Sequence, residues 1–326
     1  SSLHHRTNKH FTDFISGFYE RRLKRIVPAL SIFVIIMSIL VCIFNPKTSV
    51  NLLTGLTSLF GISNIYLLKQ STDYFSQSTQ LNVFTQTWSL GVEEQFYIIF
   101  PFFIWFSGFG RQSKNGGRNL LFSLSVLTIL SLIGFIHLYQ INQPAAYFLM
   151  PTRFWEIAAG SILFLTLKEK STLKKFIQKI PPLLFIILII GTMYLPQNLA
   201  VLSTVTVVVL TSLLIASLRR DALVYDILTN PKIVYIGLIS YSLYLWHWSV
   251  LSISRWTIGI HWWSVPFQLI LIIALSITSY QFIEKPFRNK NWFETRLKTI
   301  CSFMGMIFIA SLSLVGLIRP LKGKLY

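Results

Sequence analysis

Ten stretches of this chain are apolar over nearly the length that crosses a lipid bilayer, roughly 20 residues each. They fall near residues 27–44, 50–68, 88–107, 119–139, 148–167, 181–195, 199–217, 232–251, 264–283 and 300–318. In hydrocarbon every backbone N–H and C=O must find a partner within the protein, which leaves helices or a closed barrel. The runs are too long and too uniform for barrel strands of about 10 alternating residues. The expected fold is therefore all-α, a polytopic transmembrane helical bundle. Composition agrees: 53% of the 326 residues are hydrophobic and 12% charged, where a soluble domain carries about twice that charged fraction. Cys42 and Cys301 both lie in apolar runs and read as packing residues.

The formal net charge is +18, from 29 Lys and Arg against 11 Asp and Glu. Such a surplus can mark nucleic-acid binding, but here it sorts by loop. Segment 1–26 holds Arg6, Lys9, Arg21, Arg22, Lys24 and Arg25, and loops 108–118, 168–180, 218–232 and 284–299 are also basic. The other loops hold little beyond Lys47, Lys69 and Arg255. The positive-inside rule places the basic set in the cytoplasm, and no nucleic-acid partner is expected. Segment 1–26 and loop 108–118 are separated by three runs, and three crossings would put them on opposite sides. The run at 50–68, with Gly55, Gly61, Ser63 and Asn64, is the most polar of the three. It is expected to be a re-entrant or interfacial segment, leaving about nine crossings.

Ionisable groups within the runs need a reason, because burying charge in lipid is costly. Glu93 and Glu94 sit in TWSLGVEEQFY, Arg153 and Glu156 in PTRFWEIAAG, and His247 in YSLYLWHW. Counted from the run ends, Trp88, Glu93, Glu94, Arg153, Glu156 and His247 share one depth, an outward polar cluster. Arg153 and Glu156, at i and i+3, share a helix face. Either these groups form a functional site, or Arg153 neutralises a glutamate to hold helices together and His247 anchors its helix at the interface. At the other face, FYERRLKRIVPAL carries Arg21, Arg22 and Arg25 on one helical stripe, and EKPFR adds Lys285 and Arg288. Guanidinium forks match phosphate oxygens; the alternative is a contact with anionic lipid. No Cys/His metal spacing, Walker loop, GxGxxG or nucleophile elbow is present, and no metal is expected.

FYERRLKRIVPAL, TWSLGVEEQFYIIFP, RFWEIAAG, and SYSLYLWHW followed by EKPFR, in this order and over nearly the whole chain, resemble acyltransferase family 3. These are the bacterial integral membrane O-acyltransferases of lipopolysaccharide, peptidoglycan and other glycans. The resemblance implies acetyl-CoA or another acyl-CoA as donor on the cytoplasmic side and a glycan hydroxyl as acceptor outside. It implies CoA-phosphate contacts for Arg21, Arg22, Arg25 and Arg288. It implies supporting catalytic roles for Glu93, Glu94, Arg153, Glu156 and His247, and places Trp88, Ser89, Tyr97, Tyr241 and Trp248 beside substrate. Family members begin with a span carrying a histidine regarded as catalytic. The string Ser1-Ser2-Leu3 resembles the residues just after the second span of such members. That histidine is therefore expected upstream of this sequence, and residues 1–326 alone are expected to be inactive. His4, His5 and His10 are not its replacements. The run at 300–318 resembles the extra span of members that carry an extracytoplasmic SGNH-type domain.

The expected organisation is a cytoplasmic basic segment 1–26, an acyltransferase membrane core 27–299, and a further span with an outer stub at 300–326. The expected location is the bacterial cytoplasmic membrane. The rival readings are a transporter that uses the buried charges and a non-catalytic membrane scaffold.

Overall fold

The computed structural model describes residues 10–45, 48–71, 81–169, 171–290 and 293–318. Arg6, Lys9, His4, His5, Lys47, Lys170 and the tail 319–326 lie outside the described residues. Among the described residues the regular structure is helical: α1 (Phe11–Phe44), α2 (Ser49–Leu59), α3 (Ser63–Ser71), α4 (Thr87–Phe106), α5 (Gly116–Ile141), α6 (Gln143–Phe148), α7 (Met150–Glu169), α8 (Ser171–Ile177), α9 (Pro182–Thr192), α10 (Ala200–Ser217), α11 (Leu223–Thr229), α12 (Pro231–Trp256), α13 (Val265–Ser279), α14 (Lys285–Asn289) and α15 (Arg296–Ile318). The all-α expectation holds.

Among the described residues, seven helical stretches are long and apolar enough to cross a membrane: Phe11–Phe44, Gly116–Ile141, Gln143–Lys168, Ala200–Ser217, Pro231–Trp256, Val265–Asn289 and Arg296–Ile318. Three of the ten runs give something else. The run at 181–195 forms the 11-residue α9, and the run at 88–107 forms the 20-residue α4 with Glu93 and Glu94 inside it. The run at 50–68 is cut in two, α2 and α3, at Gly61, whose φ of 67° is left-handed. At 1.5 Å per residue neither half approaches a 30 Å core.

The described residues divide into two compact units, one within 102–237 and one within 10–101 and 238–318. In the first unit α5 packs along α7 and α9 along α10. Phe135, Ala146 and Trp155 form its buried centre, with Val201, Val205 and Val208 against them. Ser131 Oγ donates to Pro151 O (2.5 Å) and accepts from Trp155 N–H (3.1 Å). Asn142 starts α6 by accepting from Ala145 N–H at 3.1 Å, with a proline in the first turn, where a missing N–H costs nothing.

In the second unit α1 is the central element, and α2 and α15 pack along it. Phe33, Val34, Met37, Val41 and Cys42 of α1 are buried with Leu52, Phe84, Leu245, Trp246, Phe303, Ala310 and Leu314. The helix begins 16 residues before the apolar run at 27–44, because its polar lead supplies its own pairing: Asp13 lies in the first turn, and Glu20 Oε1 meets Lys24 Nζ at 2.7 Å, an i, i+4 pair. Between α13 and α14, residues Tyr280–Glu284 form a π-helical turn in which Lys285 N–H bonds Tyr280 O. Pro286 explains it: with no N–H, it cannot close the α-helical bond to residue 282, and the helix widens there.

Candidate functional site

The second unit brings three of the sequence motifs together. Helices α1 and α4 run antiparallel, with Arg22 opposite Glu93 and Glu94, and Tyr19 donating to Ile98 O at 2.8 Å. Arg22 Nε lies 3.2 Å from Glu94 Oε1, and Nη2 lies 3.3 Å from Glu93 Oε2. Its guanidinium also stacks on Tyr97, with Cζ 3.5 Å from the ring centroid. One planar cation thus joins two successive carboxylates and an aromatic face, an arrangement suited to a fork and not to a point charge.

The depth read from the sequence is corrected by these contacts. Tyr241 OH donates to Ile26 O at 3.1 Å, and Trp246 meets the Phe33 ring at 5.3 Å between centroids, so α12 ascends beside α1. His247 therefore stands at the level of Phe33, 11 residues or roughly 16 Å along α1 from Arg22. Glu93 and Glu94 lie at the level of the arginine stripe and not beside His247. The reason is the segment before α4. Residues 82–86 are non-helical, and Asn82, Val83, Phe84 and Gln86 are buried, so α4 starts inside the protein and positions counted from the run's end are displaced along it.

That buried segment is held by side chains, as irregular backbone at membrane depth requires. Asn51 Oδ1 accepts from Val83 N–H at 2.9 Å. Asn82 Nδ2 donates to Thr54 Oγ1 at 2.7 Å, and Trp248 Nε1 donates to Asn82 O at 2.9 Å. Gln86 Nε2 donates to Leu245 O (2.9 Å) and Ser249 Oγ (3.2 Å). Tyr244 OH donates to Gln86 O and lies 2.9 Å from Ser89 Oγ. Ser89 of one motif is thereby joined to Tyr244 of another, and the segment before it to Trp248. The His247 ring has Nδ1 3.1 Å from Leu243 O, on its own helix, and faces Tyr244 at 6.2 Å between centroids. Asn51, Thr54, Asn82 and Gln86 escaped the sequence reading because single buried amides and hydroxyls carry no motif.

A second polar group lies on the π turn. Glu284 is 1% exposed; its Oε2 accepts from Ser242 Oγ at 3.2 Å, and its Oε1 lies 3.7 Å from Arg288 Nη1. Ser242 Oγ is also 3.4 Å from Ser279 Oγ, and α1, which carries Arg25, packs against the π turn. The signal for Glu284 was present in EKPFR, where the basic residues drew the attention. Arg21 and Arg25 are exposed.

Arg153 and Glu156 belong to the first unit. Their Nη1–Oε1 distance is 2.7 Å, and Arg153 also lies over the Tyr147 ring, 5.1 Å from its centroid. The i, i+3 pairing read from the sequence is formed. Among the described residues no group of three or more His, Cys, Asp or Glu side chains is placed to hold a metal.

The profile of a family described as "Acyltransferase domain" matches residues 11–281, most of the chain. The chain belongs to acyltransferase family 3. The O-acetyltransferase OatA of Staphylococcus aureus strain NCTC 8325 / PS 47 is 29% identical over 299 residues, covering 84% of this chain and 48% of that protein. SAR0937 of S. aureus strain MRSA252, provisionally named an O-acetyltransferase, is 28% identical over 324 residues, covering 91% of this chain and 52% of that one. The chain thus spans about half the length of the curated relatives it matches. No solved structure matches it. The family and the apolar helices together make this a multi-pass membrane member of that family.

Proposed function

We propose that this chain is the membrane core of an O-acetyltransferase that takes an acetyl or similar short acyl group from acyl-CoA and passes it to a hydroxyl of a cell-envelope glycan. The observation that carries the reading is the convergence, in one unit, of the arginine stripe of α1, the WSLGVEEQFY segment of α4 and the YSLYLWHW segment of α12. In the reaction the acceptor oxygen attacks the thioester carbonyl carbon, the C–O bond forms, the C–S bond breaks, and the sulfur leaves as free CoA. The hydroxyl proton passes to a general base.

The arginines divide the labour in this reading. Arg22 is committed to Glu93, Glu94 and Tyr97, so it orders the carboxylates on α4. Arg21, Arg25 and Arg288 serve the donor's phosphates from the cytoplasmic side, where the basic loops collect. His247 and Trp248 of α12, with Trp88 and Ser89 of α4, face the acceptor, and Arg153 and Glu156 are assigned a supporting role. The protein would reside in a bacterial cytoplasmic membrane, and the parent chain would add an extracytoplasmic SGNH-type domain.

The test is to express the full natural chain in cells lacking it and to quantify base-labile O-acetyl groups on isolated envelope glycan. Acetylation that appears with the wild type and is lost with Arg25→Ala/Arg288→Ala supports the reading. Uptake or export of a solute with no gain of ester would favour a transporter instead.

A further inference from the structure

Glu284 is the most deeply enclosed carboxylate among the described residues, and the roles proposed above leave it unused. Its surroundings are specific. Ser242 of α12 donates to one oxygen at 3.2 Å, Arg288 one helical turn on lies 3.7 Å from the other, and α1, which carries Arg25, packs against the π turn and α14. The π turn at Tyr280–Glu284 adds a residue to the helical turn and so changes the direction in which Glu284 projects. A buried carboxylate is costly unless hydrogen-bonded and paired, so the helix spends both a regular turn and a buried charge to place this group. Arg288 retains a side-chain exposure of 35%, and Arg25 is exposed. Their free faces are therefore open to an anion while one carboxylate offsets the repulsion between them.

We propose that Glu284 is a positioning residue: it holds the guanidinium groups of Arg25 and Arg288 close together and oriented, as a pair that grips the phosphates of the acyl donor. This rests on the acyl-CoA reading above. Glu284 touches no reacting atom. Its removal weakens recognition of the donor's phosphates and leaves the pantetheine end and the acyl transfer step unaffected.

The experiment measures binding of CoA, and separately of pantetheine, which lacks the phosphates, to the purified chain in lipid nanodiscs. The advantage of CoA over pantetheine isolates the phosphate contacts. Glu284→Gln keeps the size and the Ser242 hydrogen bond but loses the charge. It is expected to weaken CoA binding about tenfold, the scale of one charge-assisted contact, with pantetheine binding unchanged. Ser242→Ala, which frees the carboxylate without removing it, is expected to shift CoA binding the same way by a smaller factor, and keeps the test decisive if Glu284→Gln does not fold. Lys298→Ala, at an exposed lysine paired with Glu294 at 3.9 Å, controls for net charge and should change neither. In the full natural chain the KM for acetyl-CoA should rise with kcat retained. Equal weakening of CoA and pantetheine, or no change in either with both variants, overturns the positioning role while leaving the donor reading intact. A wild-type chain that binds no CoA overturns the donor reading, and this role with it.

Discussion

Arg22 of α1 reaches Glu94 across 72 residues of sequence, Nε to Oε1 at 3.2 Å, while its Nη2 holds Glu93 at 3.3 Å. The arginine and Glu94 keep side-chain exposures of 17% and 24%, so the pair is sheltered but not sealed.

Arg22→Ala should therefore destabilise the protein by about 2 kcal/mol, between the value for exposed pairs and that for breaking a fully buried one. Arg22→Lys should recover only part of this, because an ammonium cannot serve both carboxylates and stack on Tyr97. The double variant Arg22→Ala/Glu94→Gln should be more stable than Arg22→Ala alone, since the penalty lies mainly in the carboxylate left behind. Denaturation of the three variants in detergent checks this. A double variant less stable than Arg22→Ala would show that the pair is not the source of the effect.

The crossing of α4 with the α2–α3 break depends on two glycines. A Cβ on Gly91 would lie 2.8 Å from Asn64 Oδ1 and 3.2 Å from the backbone oxygen of Gly61. Both oxygens already accept from Gln95 Nε2, at 2.8 and 3.0 Å. Gly91→Ala should cost about 1–3 kcal/mol, as overpacking does. Gly134→Ala, in mid-helix with nothing within 4 Å, should instead stabilise by about 0.5–1 kcal/mol. The two glycine variants are thus expected to shift the melting temperature in opposite directions.

Helix α15 lies beyond the family match, which ends at residue 281, yet it belongs to the core of the second unit. Leu314 is fully buried, as is Ala310, in one cluster with Val34 and Val41 of α1. Arg296 adds a hydrogen bond to Asp13 O at 3.0 Å and lies 3.7 Å from Glu20. Leu314→Ala should cost about 2–4 kcal/mol, whereas Arg296→Ala, at a largely solvated pair, should cost under about 1 kcal/mol. If Leu314→Ala leaves the melting temperature unmoved, α15 is a peripheral attachment.

The helical class and most of the spans were legible because an apolar run of bilayer length leaves a chain almost no alternative. Arg153 with Glu156 was legible because i, i+3 spacing is local geometry. Arg22 with Glu93 and Glu94 was not, since nothing local announces a partner about seventy residues away, and the buried non-helical segment before α4 displaced the depth count. The run at 181–195 read as a full span, but its helix stops at Thr192, with proline at one end and a Pro196-containing turn just past the other. Glu284 was visible in EKPFR, but the π turn that places it is one no hydropathy count detects.

The break at Gly61 leads to a topology that labelling can check. Helices α2 and α3 have 11 and 9 residues, about 16 and 13 Å of helix against a core of about 30 Å. An exposed break at that depth would strand backbone groups in lipid. Here Gly61 O is satisfied by Gln95, and Ser63 Oγ donates to Thr87 O at 2.8 Å, so the break is sheltered by α4. Segment 48–71 is therefore expected to enter and leave by the same face. With Cys42 and Cys301 replaced by serine, single cysteines at Lys69, Trp262 and Glu294 report the faces; Trp262 is 88% exposed, and the Glu294 side chain 92%. An impermeant maleimide added to intact cells should label positions 69 and 262 and spare 294 until the membrane is opened. Labelling of 294 with 69 and 262 both spared would mean that the segment crosses the bilayer, because the parity of every later position would change with it.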